Sequence, residues 1–204
     1  MEKTVCFRDF EERDIDFIYK CKNDAQLNRF IVGEWHPFSY EEATRWVHGC
    51  MGEHETYKFW AVCTNDEEQR IIGWVSIARI DLLNRCASFH GIVIGDPNYR
   101  NGSAWIESYI FIFEYVFRIL KLHRLNDSFL SVHPVSGIIA DAMFMMREGV
   151  MRQAHVFEGN YVDIVCVGIL SAEYFAHLGR GEYAHSQILR RMLNNIKVAK
   201  HSAK

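Results

Sequence analysis

Strand-like and helix-like segments alternate along the 204-residue chain, and their order most restricts what it can fold into. Alternating or continuous apolar runs predict strands at residues 4–7, 57–64, 71–80, 87–94, 124–132, 154–158 and 161–170. Apolar faces at helical spacing predict helices at residues 12–21, within 25–38, from 39, and at 105–122, 136–147 and 182–200. The order β-α-α-β-β-β-α-β-α-β-β predicts one α/β domain, with helices packed on a mixed sheet.

Two local signals set element boundaries. Ser39 precedes Glu42 by three residues, which is the capping-box pattern at the start of a helix. The pair Gly159-Asn160 separates two apolar runs and predicts a two-residue hairpin turn there.

The composition supports a folded domain. Hydrophobic residues make up 49% of the chain and charged residues 24%, which excludes wholesale disorder. The net charge of −3 gives no reason to expect a nucleic-acid partner. With three prolines and no Ser/Gly-rich linker, we expect one compact domain over residues 1–181, followed by a basic helical extension over 182–204.

The cysteines and the N-terminus indicate a cytoplasmic protein. Six cysteines lie at irregular intervals without a CxxC pair, so we expect neither disulfides nor a metal site. No signal-peptide pattern opens the sequence. The most apolar long stretch carries Glu107, Glu114 and Arg118, which makes a membrane span unexpected.

The segment GIVIGDPNYRNGSAWIESYIFIFEYVF, residues 91–117, holds the most chemical information. It has the form of a strand, a loop of small and polar residues, and a helix start. Such a loop exposes backbone N–H groups beside the positive end of a helix dipole, which suits a phosphate. Gly102 and Ala104 would allow close approach of a ligand, and Arg100 would add a positive charge. A strand-loop-helix without any ligand is the commoner alternative for this spacing alone.

Together with the order of elements, this segment resembles the GNAT superfamily of N-acetyltransferases over residues 2–170. The resemblance implies a mostly antiparallel sheet, splayed between its fourth and fifth strands, and acetyl-CoA as cosubstrate. The family loop reads Q/R-x-x-G-x-G/A and holds the pyrophosphate through its N–H groups. The first position falls on Tyr99, with Arg100 one place later. The implied pyrophosphate-binding residues are Tyr99, Arg100, Asn101, Gly102, Ser103 and Ala104.

The resemblance also implies a binding edge and an acceptor pocket. The backbone of Ile92, Val93 and Ile94 would pair with the pantetheine arm, as an added strand does. The N–H of Val93 would stabilise the oxyanion formed when a neutral amine attacks the thioester. The branch that it resembles acetylates ribosomal-protein N-termini, spermidine and aminoglycosides, so we expect a small-molecule or peptide amine. The implied acceptor residues are Phe30, Glu34, Trp35, Trp74 and Tyr161, with His36 nearby, although the aromatics could equally be core.

Two positions that customarily carry an acid or base are apolar. Phe89 stands where the branch has a glutamate, and Met145 stands where it has a tyrosine. We consider His133, His90 and Ser88 as substitutes, because imidazole titrates near neutral pH. His90 would face the packed helices unless a bulge intervenes, and His133 would otherwise be a loop histidine before proline.

The apolar replacements keep a second reading open. In that reading the chain is a catalytically impaired acyl-CoA-binding relative that acts as a sensor or interaction protein. A third reading, a nucleotide-binding α/β protein of another kind, lacks both a P-loop lysine and a Rossmann GxGxxG motif.

The C-terminal segment differs in charge from the rest of the chain. Residues 182–204 carry a net charge of +4, which leaves −7 for the acidic body and favours a cationic amine as acceptor. An apolar stripe runs along the predicted helix, formed by Ile188, Leu189, Met192, Leu193 and Ile196. We expect this stripe to pack on the chain itself or to form a homodimer contact, in preference to binding an acidic surface.

Overall fold

The computed structural model describes residues 3–33 and 35–202. Its strands are β1 (Val5–Arg8), β2 (Tyr57–Thr64), β3 (Ile71–Asp81), β4 (Cys86–Ile94), β5 (Arg124–Leu130), β6 (Met146–Phe157) and β7 (Asn160–Leu170). Its helices are α1 (Ile15–Lys22), α2 (Tyr40–Cys50), α3 (Ser103–Glu114), α4 (Ser136–Ala142), α5 (Ser171–Gly179) and α6 (His185–Ser202). A π-helical turn at Tyr115–Ile119 continues α3.

The seven strands of this part of the chain form one sheet in the order β1-β2-β3-β4-β5-β7-β6. The neighbours β1/β2, β2/β3, β5/β7 and β6/β7 are antiparallel, and β4 is parallel to β5. The parallel pairing joins Cys86–Ser88 to Arg124–Asn126, at the start of both strands, and β4 then runs on to Ile94. The predicted mixed, mostly antiparallel sheet with flanking helices and a C-terminal helix is confirmed.

The chain divides into two compact units. The first contains the described residues up to Asp81 together with Phe89–Ser108. The second contains Leu82–Ser88 and the described residues from Tyr109 onward. The predicted boundary at residue 181 stays a prediction.

The core of the first unit lies between the sheet and the helices α1 and α2. Ile18 of α1 and Val47 of α2 are fully buried against Ala61 and Trp74, which β2 and β3 present on one face. The predicted capping box is confirmed at the start of α2: the Ser39 hydroxyl accepts from the Glu42 N–H at 3.2 Å, and the Glu42 carboxylate accepts from the Ser39 N–H at 2.7 Å. Capping satisfies N–H groups that helix geometry leaves unpaired.

The second unit corrects two predicted boundaries. The helix expected at 136–147 ends at Ala142, because Phe144 adopts a left-handed φ of +61° and the Met145 N–H donates back to the Ala140 carbonyl at 2.9 Å. The strand expected at 154–158 therefore begins much earlier, at Met146.

The hairpin turn is Glu158-Gly159 instead of Gly159-Asn160. Both turn residues have positive φ, +49° and +79°, and Phe157 pairs with Asn160. Two consecutive positive φ values are what a type I′ turn requires, so Asn160 becomes the first residue of β7.

The basic C-terminal helix packs within the second unit. Ile188 is fully buried, and the Arg191 Nε donates to the Ala142 carbonyl at 2.9 Å. Just before the helix, the Tyr183 hydroxyl donates to the Met143 carbonyl at 3.1 Å. Leu193, expected on the apolar stripe, is 51% exposed and lies outside this contact. These bonds explain how the helix is held by its own chain.

The six cysteines are free thiols. Burial raises the pKa of Cys21, Cys50 and Cys63 to about 12, so these thiols stay protonated near neutral pH. Within the described ranges, no helix combines the length and the apolar character needed to cross a bilayer.

Candidate active site

The loop that follows β4 is anchored on both sides in the first unit. The N–H groups of Gly95 and Asp96 both donate to the Ile72 carbonyl, at 2.8 and 3.1 Å. The Asp96 carboxylate accepts from the Asn98 N–H and forms a 3.0 Å salt bridge with Arg70. Bonds to Asn98 and Arg70 outweigh partial burial and lower the pKa of Asp96. The loop is thereby held in one conformation before the next helix begins.

Arg100 braces this loop from within. Its Nε donates to the Ile94 carbonyl at 2.8 Å, and its Nη2 donates to the Gly95 carbonyl at 2.7 Å. The predicted positive charge therefore lies at the end of β4, with two of its donors on backbone oxygens. Nearby, the Tyr99 N–H donates to the Asp96 carbonyl inside the short 3₁₀ turn Pro97–Tyr99.

The start of α3 offers unused backbone donors. Gly102 has a φ of +98°, and its carbonyl accepts the first helical bond, from the Ile106 N–H at 3.0 Å. The Asn101 side chain accepts from the Ser103 N–H at 3.0 Å. Among the described residues, none accepts a hydrogen bond from the N–H of Ala104 or Trp105. A helix start with unpaired N–H groups attracts an anion, so this geometry fits a pyrophosphate.

The predicted pantetheine edge, Ile92–Ile94 of β4, packs tightly against β3. A Cβ added at Gly73 would lie 2.1 Å from the Val93 carbonyl oxygen, so β3 has no room for a side chain there. Ile94 is 1% exposed, whereas Ile92 and Val93 are half-buried. The edge is therefore rigid and partly accessible.

Helix α1 packs directly over the end of this strand. A Cβ added at Gly95 would lie 2.4 Å from the Cys21 Sγ and 2.7 Å from the Phe17 ring. The last turn of α1 and the end of β4 are thus in contact through glycine. Whatever α1 carries in its last turn lies close to the predicted thioester position.

That last turn carries Lys22, whose ammonium group lies among three aromatic rings. The Nζ is 4.4 Å from the Trp46 ring centroid, 5.2 Å from that of Trp74 and 5.4 Å from that of Phe38. We call these three residues the aromatic box. Trp35 borders it, because its Nε1 donates to the Lys22 carbonyl at 2.9 Å. Two predicted acceptor residues, Trp35 and Trp74, therefore converge on Lys22.

His90 lies on the same face of the first unit. Its ring is 6.0 Å from that of Phe59, edge to face, and the Phe59 ring is in turn 5.4 Å from that of Trp46. Gly91 follows within β4 with a left-handed φ of +130°. Partial removal from water lowers the pKa of His90, and the charges of Lys22 and Arg79 act in the same direction.

His133, in the second unit, has a structural partner set. Its Nδ1 accepts from the N–H of Ser136 at 3.1 Å and of Val135 at 3.3 Å. The ring therefore caps the start of α4, and burial lowers its pKa. Because Nδ1 is an acceptor, the neutral ring carries its hydrogen on Nε2.

The remaining predicted residues fall in several places. Phe30 is half-buried in the first unit, with the Arg29 guanidinium 5.3 Å from its ring centroid. In the second unit, Ser88 pairs with Asn126, and Tyr161 is 71% exposed on β7. Glu34 lies outside the described residues.

Sequence reasoning missed two parts of this arrangement. Lys22 gave no signal, because a lysine in a polar run such as KCKND reads as a surface residue. No pattern in the sequence singles out Phe38 or Phe59 either. Trp46 is predicted on the apolar face of α2, but the sequence does not place it beside a cation. Phe89 and Met145, which the resemblance places at the customary acid and base positions, are buried, at 7% and 3% exposure.

A rigid strand end, a braced loop and a helix start with open N–H groups together fit a ligand that carries a phosphate. The acetyltransferase (GNAT) domain matches residues 4–141, about two thirds of the chain. The chain therefore belongs to the GNAT family of acetyltransferases, enzymes that transfer an acyl group from acyl-CoA to an amine, with acetyl-CoA as cosubstrate.

Individual relatives agree with this assignment. The chain is 24% identical over 178 residues to a spermidine N(1)-acetyltransferase of Vibrio cholerae, covering 85% of this chain and 97% of that protein. Its fold is similar to a crystal structure of the V. cholerae spermidine N-acetyltransferase with CoA and spermine, with a TM-score of 0.74, 21% identity and coverage of 85% and 99%. A GCN5-related N-acetyltransferase from Brucella melitensis gives a TM-score of 0.72 at 19% identity, covering 90% and 84%.

Proposed function

We propose that this protein acetylates a primary amine, either a small polyamine-like molecule or a protein N-terminus, with acetyl-CoA as the donor. The observation that carries the proposal is the start of α3, where no described residue accepts a hydrogen bond from the N–H groups of Ala104 and Trp105, directly after Gly102 at its left-handed φ. The name of the V. cholerae relative supports an amine acceptor. Cytoplasmic localisation and a homodimer stay predictions.

In this proposal, bound acetyl-CoA supplies an electrophilic thioester carbonyl, and the chain positions it. The start of α3 binds the pyrophosphate through backbone N–H groups, those of Ala104 and Trp105 among them. The strand end Ile92–Ile94 aligns the pantetheine arm, and the Val93 N–H stabilises developing negative charge on the carbonyl oxygen. Packing of Gly73 against Val93 keeps this edge from shifting, which matters because positioning supplies much of the rate in direct transfer.

His90 is the group we assign to accept the amine proton. Its lowered pKa keeps the ring neutral near pH 7, and a neutral imidazole accepts a proton. His133 is less suited, because its Nδ1 already accepts two backbone N–H groups and its Nε2 carries the hydrogen. Phe89 stands where the resembling branch has a glutamate. His90 therefore takes the role of proton acceptor in this proposal, on the same face of the first unit as the aromatic box.

Binding of the donor is tested by two matched glycine variants. Gly102→Ala and Gly52→Ala both place a side chain at positive φ, +98° and +83°, with open space around it, so both should lower the melting temperature similarly. We expect CoA to raise the melting temperature of the wild type and of Gly52→Ala, but to raise that of Gly102→Ala much less. An equal CoA-induced rise in melting temperature in all three proteins would show that this loop does not bind CoA.

The same measurement bears on the alternative of a non-catalytic acyl-CoA sensor. A sensor binds CoA but releases no free thiol from acetyl-CoA with any amine. Thiol release that depends on an added amine supports the enzyme.

A further inference from the structure

The aromatic box is a cation-binding arrangement that the chain itself fills. Rings of tryptophan and phenylalanine attract a cation within about 6 Å of their centroids, and the Lys22 Nζ meets this condition for Trp46, Trp74 and Phe38. An acceptor ammonium would therefore find this position already occupied by a positive charge.

No described carboxylate pairs with the Lys22 ammonium group. Within the described ranges, no carboxylate forms a salt bridge with Lys22 or with Arg79, whose charges both act on His90. The nearest acids along the chain are engaged elsewhere: Asp24 accepts backbone N–H groups, and Asp16 accepts from a tyrosine hydroxyl.

Lys22 is held in place and half-buried. The Trp35 indole donates to its carbonyl, and the adjacent Asn23 side chain donates to the Phe38 carbonyl at 3.0 Å. Burial lowers the pKa of Lys22. A partly desolvated cation without a counterion gains most from an anion brought by a ligand.

The position of Lys22 places this charge beside the predicted reaction centre. It follows Cys21, which packs on Gly95 at the end of β4, and it shares a face with His90. A ligand group bound by Lys22 would thus lie on the acceptor side of the site.

We propose that Lys22 binds a carboxylate of the acceptor, so that the substrate is an amine that also carries a carboxylate, and not a polyamine. This inference rests on the proposed acetyltransferase function, keeps its amine acceptor and replaces the polyamine-like class by one that carries a carboxylate. Two sources share the chemistry: a free amino acid, whose carboxylate is near its amine, and a peptide whose N-terminal residue has an acidic side chain.

The test compares amines that differ in the carboxylate alone. Wild type, Lys22→Gln and Lys22→Met are assayed for thiol release with an amino acid and its amide, with peptides beginning in Glu or Gln, and with spermidine. Lys20→Gln is the matched control, because Lys20 is an exposed lysine on the same helix. Lys22→Met keeps the apolar stem in the aromatic box, and the melting temperature shows whether each variant is folded.

We expect the wild type and Lys20→Gln to prefer the carboxylate-bearing member of a pair by about tenfold or more in kcat/KM. That factor corresponds to about 1.4 kcal/mol, which lies at the lower limit of the range for a hydrogen bond to a charged group. Lys22→Gln and Lys22→Met should lose the preference, chiefly through a higher KM, while CoA still raises their melting temperature as in the wild type. The free amino acid and the peptide pairs show which source carries the carboxylate.

Three results would overturn the proposal. A wild-type preference for spermidine or for the amides would show that Lys22 does not bind an acceptor carboxylate. An equal preference for the carboxylate in the Lys22 and Lys20 variants would show the same. In both cases amine-dependent thiol release leaves the acetyltransferase function standing. Absence of thiol release with every amine overturns both proposals.

Discussion

Gly73 of β3 lies directly against the carbonyl oxygen of Val93, with only 2.1 Å from that oxygen to the place where a Cβ would be. Because the obstacle is backbone, a methyl group can be accommodated only if β4 moves. The close approach therefore couples sheet packing to the strand end that we assign to the pantetheine arm.

Gly73→Ala should both destabilise the protein and weaken CoA binding. We expect a loss of roughly 1–3 kcal/mol in the free energy of unfolding, the usual range for overpacking, together with a smaller CoA-induced rise in melting temperature. Gly49→Ala is the control, because Gly49 lies in α2 with nothing near its Cβ position, and alanine should leave stability equal or higher there. Unchanged CoA binding in Gly73→Ala would separate this strand end from the donor site.

The acidic side of the pH–rate profile should report His90. Its lowered pKa predicts that kcat/KM falls only below the ordinary histidine range, as the ring becomes protonated. Removing a neighbouring positive charge by Lys22→Gln should move this fall to higher pH. A profile that is unchanged in His90→Gln would exclude His90 as the proton acceptor.

His133 should matter for stability more than for turnover. His133→Ala removes the acceptor at the start of α4 and should lower the free energy of unfolding by about 1 kcal/mol, as other lost helix caps do. His133→Asn restores a capping acceptor and should recover most of that loss. Denaturant unfolding gives both values. A large fall in kcat for His133→Asn would show instead that the His133 imidazole takes part in the reaction.

Asp127 should give the second unit a distinctive pH dependence. Burial raises the pKa of Asp127 to about 7, while hydrogen bonds from the Ser128 N–H and from the Tyr109 hydroxyl lower it by a lesser amount. A carboxyl whose folded pKa exceeds its unfolded value stabilises the fold below the unfolded pKa, near 4, and this stabilisation is lost as pH rises towards 7. We expect wild-type stability to fall by up to about 1.4 kcal/mol per pH unit more steeply than that of Asp127→Asn over this window. Parallel curves for the two proteins would contradict the shifted pKa.

Much of the fold follows from sequence because its signals are local. The Ser39 capping box and the two-residue alternation of the strands each depend on residues that are close together in the sequence. The structure contains both the capped helix and the strands. The end of α4 does not follow, because Phe144 takes a left-handed φ without glycine, and the buried methionines on either side favour a helix locally. Tertiary packing decides that boundary.

The site divides along the same line. The loop residues 99–104 form a pattern that can be seen in the sequence, and the structure places them at a helix start. The contact of Lys22 with Trp46 and Trp74 joins α1, α2 and β3, and no spacing along the chain encodes it. The left-handed φ of Gly91, next to His90, likewise appears only in the backbone.

Acetyl transfer itself is tested most directly by mass spectrometry of the acceptor. Wild type and His90→Gln are incubated with acetyl-CoA and the paired amines, and the acetylated product is quantified beside a CoA-binding measurement. We predict an acetylated amine with the wild type and a loss of roughly a hundredfold or more in His90→Gln, with CoA binding retained in both. CoA binding without acetylated product from any amine would contradict the assignment of an acetyltransferase site.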